Sequence, residues 1–245
     1  MTNLSVNLNA VAHLRNRRDL PWPSVPRVAR LVLDTGADGI TVHPRPDERH
    51  IRRADAFELA RLLRDDYPTA EYNIEGYPSA EFLDLVEATA PDQVTFVPDD
   101  PSQATSDHGW DIASSQAALV PAIARMKAAG IRVSLFIDPV PAIAAEAAAL
   151  GPDRVELYTA GYGGSFTPAS AEPHLGDLAA TAKLAQAAGL AVNAGHDLTL
   201  ENLPAFQRAV PGIAEVSIGH AITSDALLMG FAEAVRRYKA ALASA

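Results

Sequence analysis

The stretch Ile40-Thr41-Val42-His43-Pro44-Arg45-Pro46-Asp47-Glu48-Arg49-His50 reads as the end of a buried strand running into a polar loop. Ile40, Thr41 and Val42 suit a buried strand. Pro44 and Pro46 stop it, because each removes a ladder donor and fixes its own φ. Two histidines, two arginines and two acids therefore sit where a strand gives way to a loop.

Outward from this point the chain repeats one arrangement. Before it come a short strand at Ser5–Leu8, a segment from Asn9 to Arg18, and a helix from Val25 to about Thr35 capped by Ser24. After it, helices at 54–66, 80–90, 114–129, 142–150, 171–188 and 201–209 alternate with strands at 71–75, 93–97, 132–137, 154–158, 190–193 and 215–218. A final helix is expected from Ala221 to about Leu242. Gly36, Gly130, Gly151 and Gly189 each stand where a helix must turn left-handed before a strand. Eight strands alternating with helices at roughly 30-residue spacing predict parallel βαβ units. A single (β/α)₈ (TIM) barrel domain over residues 1–245 fits that count, since such barrels run to about 250 residues. The rival, an open doubly wound sheet, usually carries a glycine-rich turn after its first strand, and Asn7-Leu8-Asn9-Ala10 is not one.

Composition narrows the function. The chain of 245 residues is 48% apolar, with a formal net charge of −10. No basic stripe suits a nucleic acid. There is no cysteine, which excludes disulfides and thiolate metal sites. No apolar run approaches the ~20 residues of a membrane span, so a cytoplasmic protein is the default. Phosphorylated small molecules remain open as ligands, because a few local donors bind a phosphate whatever the global charge.

In a barrel of this kind the chemistry stands at the C-terminal ends of the strands. Those positions hold Asn7 and Asn9, His43 and Arg45, Glu75, Asp138, Glu156, His196, and Gly219 with His220, with Thr105 in a long loop. Burying such groups costs several kcal/mol unless they are paired. His43 and His196 read as proton-transfer groups and Glu75, beside Gly76, as a general base. Glu156 faces the barrel interior by alternation, either as a functional acid or in a structural ion pair. Gly219-His220 marks a strand-to-helix turn where backbone N–H groups suit a phosphate, with Thr223 and Ser224 as candidate caps. Arg18 and Arg45 suit bidentate phosphate contacts. The glycine-rich segment Thr159–Ser170 reads as a lid. No histidine pair has the i, i+4 spacing of a zinc motif, which leaves a divalent-metal aldolase as a minor alternative.

These residues resemble one family over essentially the whole chain. Val6-Asn7, Leu14-Arg15-Asn16, Gly39–His43, Arg45, Arg49-His50-Ile51, Asn73-Ile74-Glu75, Val97-Pro98, Ser134–Asp138, Val192–His196 and Ile218–Ala221 match the pyridoxine 5′-phosphate synthase family in order and spacing. The resemblance implies a TIM barrel that closes a ring without metal or cofactor. 3-Amino-2-oxopropyl phosphate and 1-deoxy-D-xylulose 5-phosphate would give pyridoxine 5′-phosphate, inorganic phosphate and water. His43 and Glu75 would accept protons, His196 would donate one, and Glu156 would stabilise the transition state. Asn7, Arg18, Asp197, Gly219 and His220 would hold the aminoketone phosphate, while Arg45, His50 and Thr105, with Asn9 nearby, would hold the ketose phosphate. It further implies a homo-octamer in which Arg18 reaches a neighbouring subunit's site.

Three departures from the family pattern stand out. Asn9-Ala10 replaces a common Asp-His, Asp99-Asp100-Pro101 stands in place of a common basic pair, and Asp197 replaces a common glycine. The proton-transfer residues are intact. A different phosphosugar aldolase or isomerase, or a non-catalytic metabolite-binding barrel, remains the alternative reading of the same residues.

Overall fold

A computed structural model describes residues 1–99 and 106–243. Eight strands run parallel in chain order: β1 (Asn3–Asn7), β2 (Gly39–Val42), β3 (Glu71–Gly76), β4 (Gln93–Phe96), β5 (Arg132–Ile137), β6 (Arg154–Leu157), β7 (Ala191–Gly195) and β8 (Ile213–Ile218). β8 pairs with β1 through Asn3↔Glu215 to Val6↔Ile218 and closes the barrel. Around it lie α1 (Asn9–Asn16), α2 (Val25–Asp34), α3 (Arg53–Asp66), α4 (Ala80–Thr89), α5 (Ile112–Ala128), α6 (Pro141–Ala149), α7 (Ala160–Gly163), α8 (Pro168–Ala187), α9 (Leu203–Ala209), α10 (His220–Met229) and α11 (Phe231–Ala243). The expected (β/α)₈ barrel is the observed fold.

The expected boundaries shift in three instructive places. The single last helix is two, α10 and α11, broken at Gly230 with φ +82°. The glycine-rich segment after β6 folds into the short helix α7, and the hydroxyl of its buried Tyr162 donates to the Asn202 carbonyl at 2.7 Å. β7 runs on to Gly195, where a Cβ would stand 2.0 Å from the Ser217 carbonyl oxygen, so only glycine lets the two strands pair there. The four predicted helix-stop glycines all have φ between +76° and +108°.

Strand alternation separates two environments. One face, with Leu4 and Val6, Ile40 and Val42, Tyr72 and Ile74, Val94 and Phe96, Val155 and Leu157, is buried against the helices. The other face points into the barrel and is polar. Ser5, Thr41, Asn73, Thr95, Ser134, Glu156, Asn193 and Ser217 form one buried ring across the strands. Hydrogen bonds link its members, Ser5 to Thr41 at 2.7 Å and Thr95 to Asn73 at 3.1 Å. Barrels of this class usually fill that space with Val, Ile and Leu. At the N-terminal mouth Glu71 pairs with Arg132 and, at 3.5 Å, with Arg154, beside the buried Glu215.

One ion pair sets the path of the loop after β2. Arg15 of α1 holds Asp55 of α3 through two bonds of 2.6 and 2.8 Å, and both side chains are 9% exposed. Arg15 also donates to the His50 carbonyl at 3.1 Å, and Asn16 donates to the same oxygen at 2.7 Å and to the Glu48 carbonyl at 3.1 Å. The polar loop is thereby fastened to α1. Removing one partner of a buried pair leaves an uncompensated charge and costs about 3 kcal/mol or more. Asp55→Ala is therefore expected to lose about 3 kcal/mol of stability in a urea titration, with Asp55→Asn losing less.

Candidate active site

The strand ends at the C-terminal rim enclose a cavity of about 590 Å³, lined among others by Asn7, Asn9, His43, Arg45, His50, Glu75, Glu156, His196, Asp197, Gly219 and His220. Asn7 ends β1, and its amide donates to Glu75 of β3 at 3.4 Å. Asn9 opens α1 and ties two strand ends together. Its side-chain oxygen accepts the His43 backbone N–H at 2.9 Å, and its own N–H donates to Asn7 Oδ1 at 2.9 Å. Gly219 precedes α10, where no side chain caps the first turn. Thr223 and Ser224 lie inside α10, so the expected capping role for them does not hold.

Burial and neighbouring charges set different proton states around this cavity. Burial first, then the neighbouring Arg45, His50 and Arg49, hold His43 well below the ordinary histidine range. It is a neutral imidazole, with Nδ1 3.9 Å from Glu75 and Nε2 3.8 Å from Asp99. His50 is lowered to about 4 by burial and by Arg45. Its Nδ1 accepts the Ile51 N–H at 2.9 Å, which leaves the ring proton on Nε2 as a donor. Glu75 is pushed up to about 7 by burial, against the pull of His196 and with the push of Asp99. Glu156 is raised well above the carboxylate range by burial and by Glu75 and Glu215. Among the described residues it has no ion-pair partner, and its Oε2 accepts no hydrogen bond. The structural ion pair considered for Glu156 is therefore absent.

His196 goes the other way. Burial lowers it, but the Asp197 hydrogen bond and charge, with Glu75 and Asp99, outweigh that and leave it raised. Its Nδ1 stands 2.7 Å from Asp197 Oδ2, and its backbone takes φ +39°. Non-glycine residues rarely adopt that region, and when they do it is often at a working site.

Arg45 is 4% exposed and ion-pairs with Asp99, which also accepts the Ser106 hydroxyl at 2.9 Å. A second cavity of about 540 Å³ shares His43 and Arg45 with the first and is lined further by Asp99, Tyr77 and Phe82. Among the described residues no group of three or more His, Asp or Glu is arranged to hold a metal ion. Nor is any helix among them long and apolar enough to cross a membrane.

A sequence profile described as pyridoxal phosphate biosynthesis protein PdxJ matches residues 4–244. The chain belongs to the PdxJ family. Its relatives named pyridoxine 5′-phosphate synthase include those of Brucella anthropi, 59% identical over 98% of both chains, and of a Chelativorans species, 60% identical over 97% of both. Among solved structures, 3-hexulose-6-phosphate synthase aligns with 98% of this chain and 100% of its own at a TM-score of 0.65 and 16% identity. HMG-CoA lyase from Brucella melitensis aligns with 98% and 99% at 0.62 and 17%. At that identity these two speak for the barrel alone.

One residue that the PdxJ resemblance assigns to substrate does not join the others. Arg18 is exposed and absent from the cavity wall, whereas Arg17 lines it. Thr105 lies outside the described residues. Asp138 accepts the Gly109 N–H at 2.9 Å and serves the backbone. Sequence reasoning missed the positional role of Asp99 and the anchoring roles of Arg15, Asn16 and Asp55. For Arg15 the signal was a charged residue inside the matched motif Leu14-Arg15-Asn16 with no chemical task of its own.

Asp99 raises Glu75 through its charge, and it neutralises Arg45, which lowers Glu75. Asp99→Asn removes the first effect and frees the second, so both changes act downward. The Glu75 carboxyl is expected to titrate below its present value of about 7 in that variant, as followed by carbon-13 NMR of labelled glutamate against a Glu75→Gln control.

Proposed function

We propose that the protein is a pyridoxine 5′-phosphate synthase, which condenses 3-amino-2-oxopropyl phosphate with 1-deoxy-D-xylulose 5-phosphate by acid–base catalysis. One observation carries the mechanism: a single cavity brings together a neutral imidazole, a carboxylate near its midpoint, a buried neutral carboxyl and a raised imidazole. Ring closure from two ketones needs imine formation, phosphate loss, an aldol-like closure and dehydrations. Each step moves a proton, and each has a matching group here.

In this reading neutral His43 accepts a proton. Glu75, half ionised near neutral pH, takes protons and returns them. His196 enters protonated and donates to a departing oxygen. Glu156, held as the acid, donates a hydrogen bond to charge that builds up in the transition state. Asn7 orients Glu75, and the uncapped first turn of α10 at Gly219 and His220 suits the aminoketone phosphate. Arg45 and the Nε2–H of His50 suit the ketose phosphate. Arg18 acts in a neighbouring subunit's site within a homo-octamer. Its exposure, and the exposed Leu14, Leu20 and Trp22 on the same segment, support that assignment.

A second reading keeps the aminoketone and changes the ketose phosphate. It is favoured by Asp99, which already occupies Arg45, and by Ala10 on the cavity wall.

The test mixes purified protein with both phosphorylated ketones and follows ultraviolet absorbance of the product together with phosphate release. Product is expected, and His43→Ala and Glu75→Gln are each expected to lower kcat by about 100-fold or more. Phosphate release with another ketose phosphate but none with deoxyxylulose phosphate would favour the second reading. Because Glu75 works as the base above its pKa, kcat/KM is expected to fall as pH drops through about 7. An acid limb that persists unchanged in a residually active Glu75→Gln would remove Glu75 from that role.

A further inference from the structure

We propose that Asp197 is a positioning residue for His196: its carboxylate holds the Nδ1 proton and leaves Nε2 as the nitrogen that delivers a proton to substrate. This rests on the acid role of His196 given above and assigns Asp197 a task different from substrate contact.

The geometry is built from several sides. The Nδ1 to Oδ2 contact of 2.7 Å is a good hydrogen bond, and a carboxylate accepts only, so the shared proton belongs to the imidazole. The turn that carries both residues is closed by the Leu198 N–H on the Gly195 carbonyl at 3.0 Å. His196 takes its positive φ inside that turn. Asp197 is gripped separately. Its N–H donates to the Thr159 hydroxyl at 3.3 Å, and its carbonyl accepts Asn202 Nδ2 at 3.1 Å. The Thr159 hydroxyl in turn donates to the Gly195 carbonyl at 2.7 Å, which ties the dyad to the end of β7. Gly163 of α7 packs closely on this residue, since a Cβ there would lie 2.3 Å from Asp197 Cβ.

An exposed pair of neighbouring residues would be worth little. This one is different because the imidazole lines the cavity and packs edge-on to Tyr158 at 5.6 Å. A carboxylate on the far nitrogen of such a ring fixes its tautomer and strengthens its hold on the proton. Other groups also act on the pair. Glu75 from β3 and Asp99 after β4 favour the imidazolium, and His220 from α10 favours ionised Asp197. A pH profile of the wild type alone cannot separate these contributions, so the test changes Asp197.

Nitrogen-15 NMR of labelled histidine, assigned with His196→Ala, reads the tautomer and titration of His196 in the free protein. Asp197→Asn keeps the shape and removes the charge. The wild type is expected to hold its proton on Nδ1 and to titrate above an ordinary histidine. In Asp197→Asn the midpoint is expected to fall by about one pH unit. The kcat at pH 8 is expected to fall about 10-fold, with KM for each phosphorylated ketone within about 2-fold of wild type. Asp197→Glu, which restores the charge, is expected to recover much of the loss. An unchanged tautomer and midpoint in Asp197→Asn, or a loss confined to KM, would overturn the proposal. Asp197→Gly takes the place of Asp197→Asn if the latter does not fold. Absence of turnover in the wild type would instead count against the proposed reaction, and the NMR result would still decide the dyad.

Discussion

Closure of eight parallel strands into one ladder is the constraint from which the site follows. With all strands pointing one way, each presents its last residues at the same rim, whatever the distance between them in the chain. Asn7 and Gly219 come from opposite ends of the sequence and touch because β8 pairs with β1. The same closure draws inward side chains away from bulk water. A carboxyl such as Glu156, placed there without a counter-charge, holds its proton.

Position relative to that interior sorts the titratable groups. Glu156 lies within β6 and is protonated, while Glu75, nearer the rim and within reach of Asn7 and His196, lies between its two forms. His43 sits in a patch of positive charge and loses its proton. His196 sits among carboxylates and keeps it. Two imidazoles on one fold thus carry opposite electrostatic surroundings, the general pattern by which environment sets like groups apart.

Much of this was legible in the residues. Strand–helix cadence and helix-stop glycines foretold the barrel, and polar residues at strand ends foretold the lining of the cavity at its rim. Glu156 was placed inside correctly from the alternation of Val155 and Leu157. What local pattern does not carry is long-range partnership. Nothing near Arg15 announces Asp55, which lies 40 residues on. Nothing in Asp99-Asp100-Pro101 states that the first acid closes on Arg45. The break at Gly230 was missed because apolar periodicity continues on both sides of it. The segment after β6 was read as a loop for its glycines, yet Tyr162 buries itself and draws a turn of helix with it.

The polar ring inside the barrel has a thermal consequence. Unfolding a barrel filled with Val, Ile and Leu exposes apolar surface there and raises the heat capacity. Here the same event exposes hydroxyls and amides from Ser5, Thr41, Asn73, Thr95 and Asn193, whose hydration lowers it. The heat-capacity change of unfolding is smaller than for an apolar-cored barrel of equal length. A smaller change flattens the curve of stability against temperature, so the protein loses less of its maximum stability on either cooling or warming.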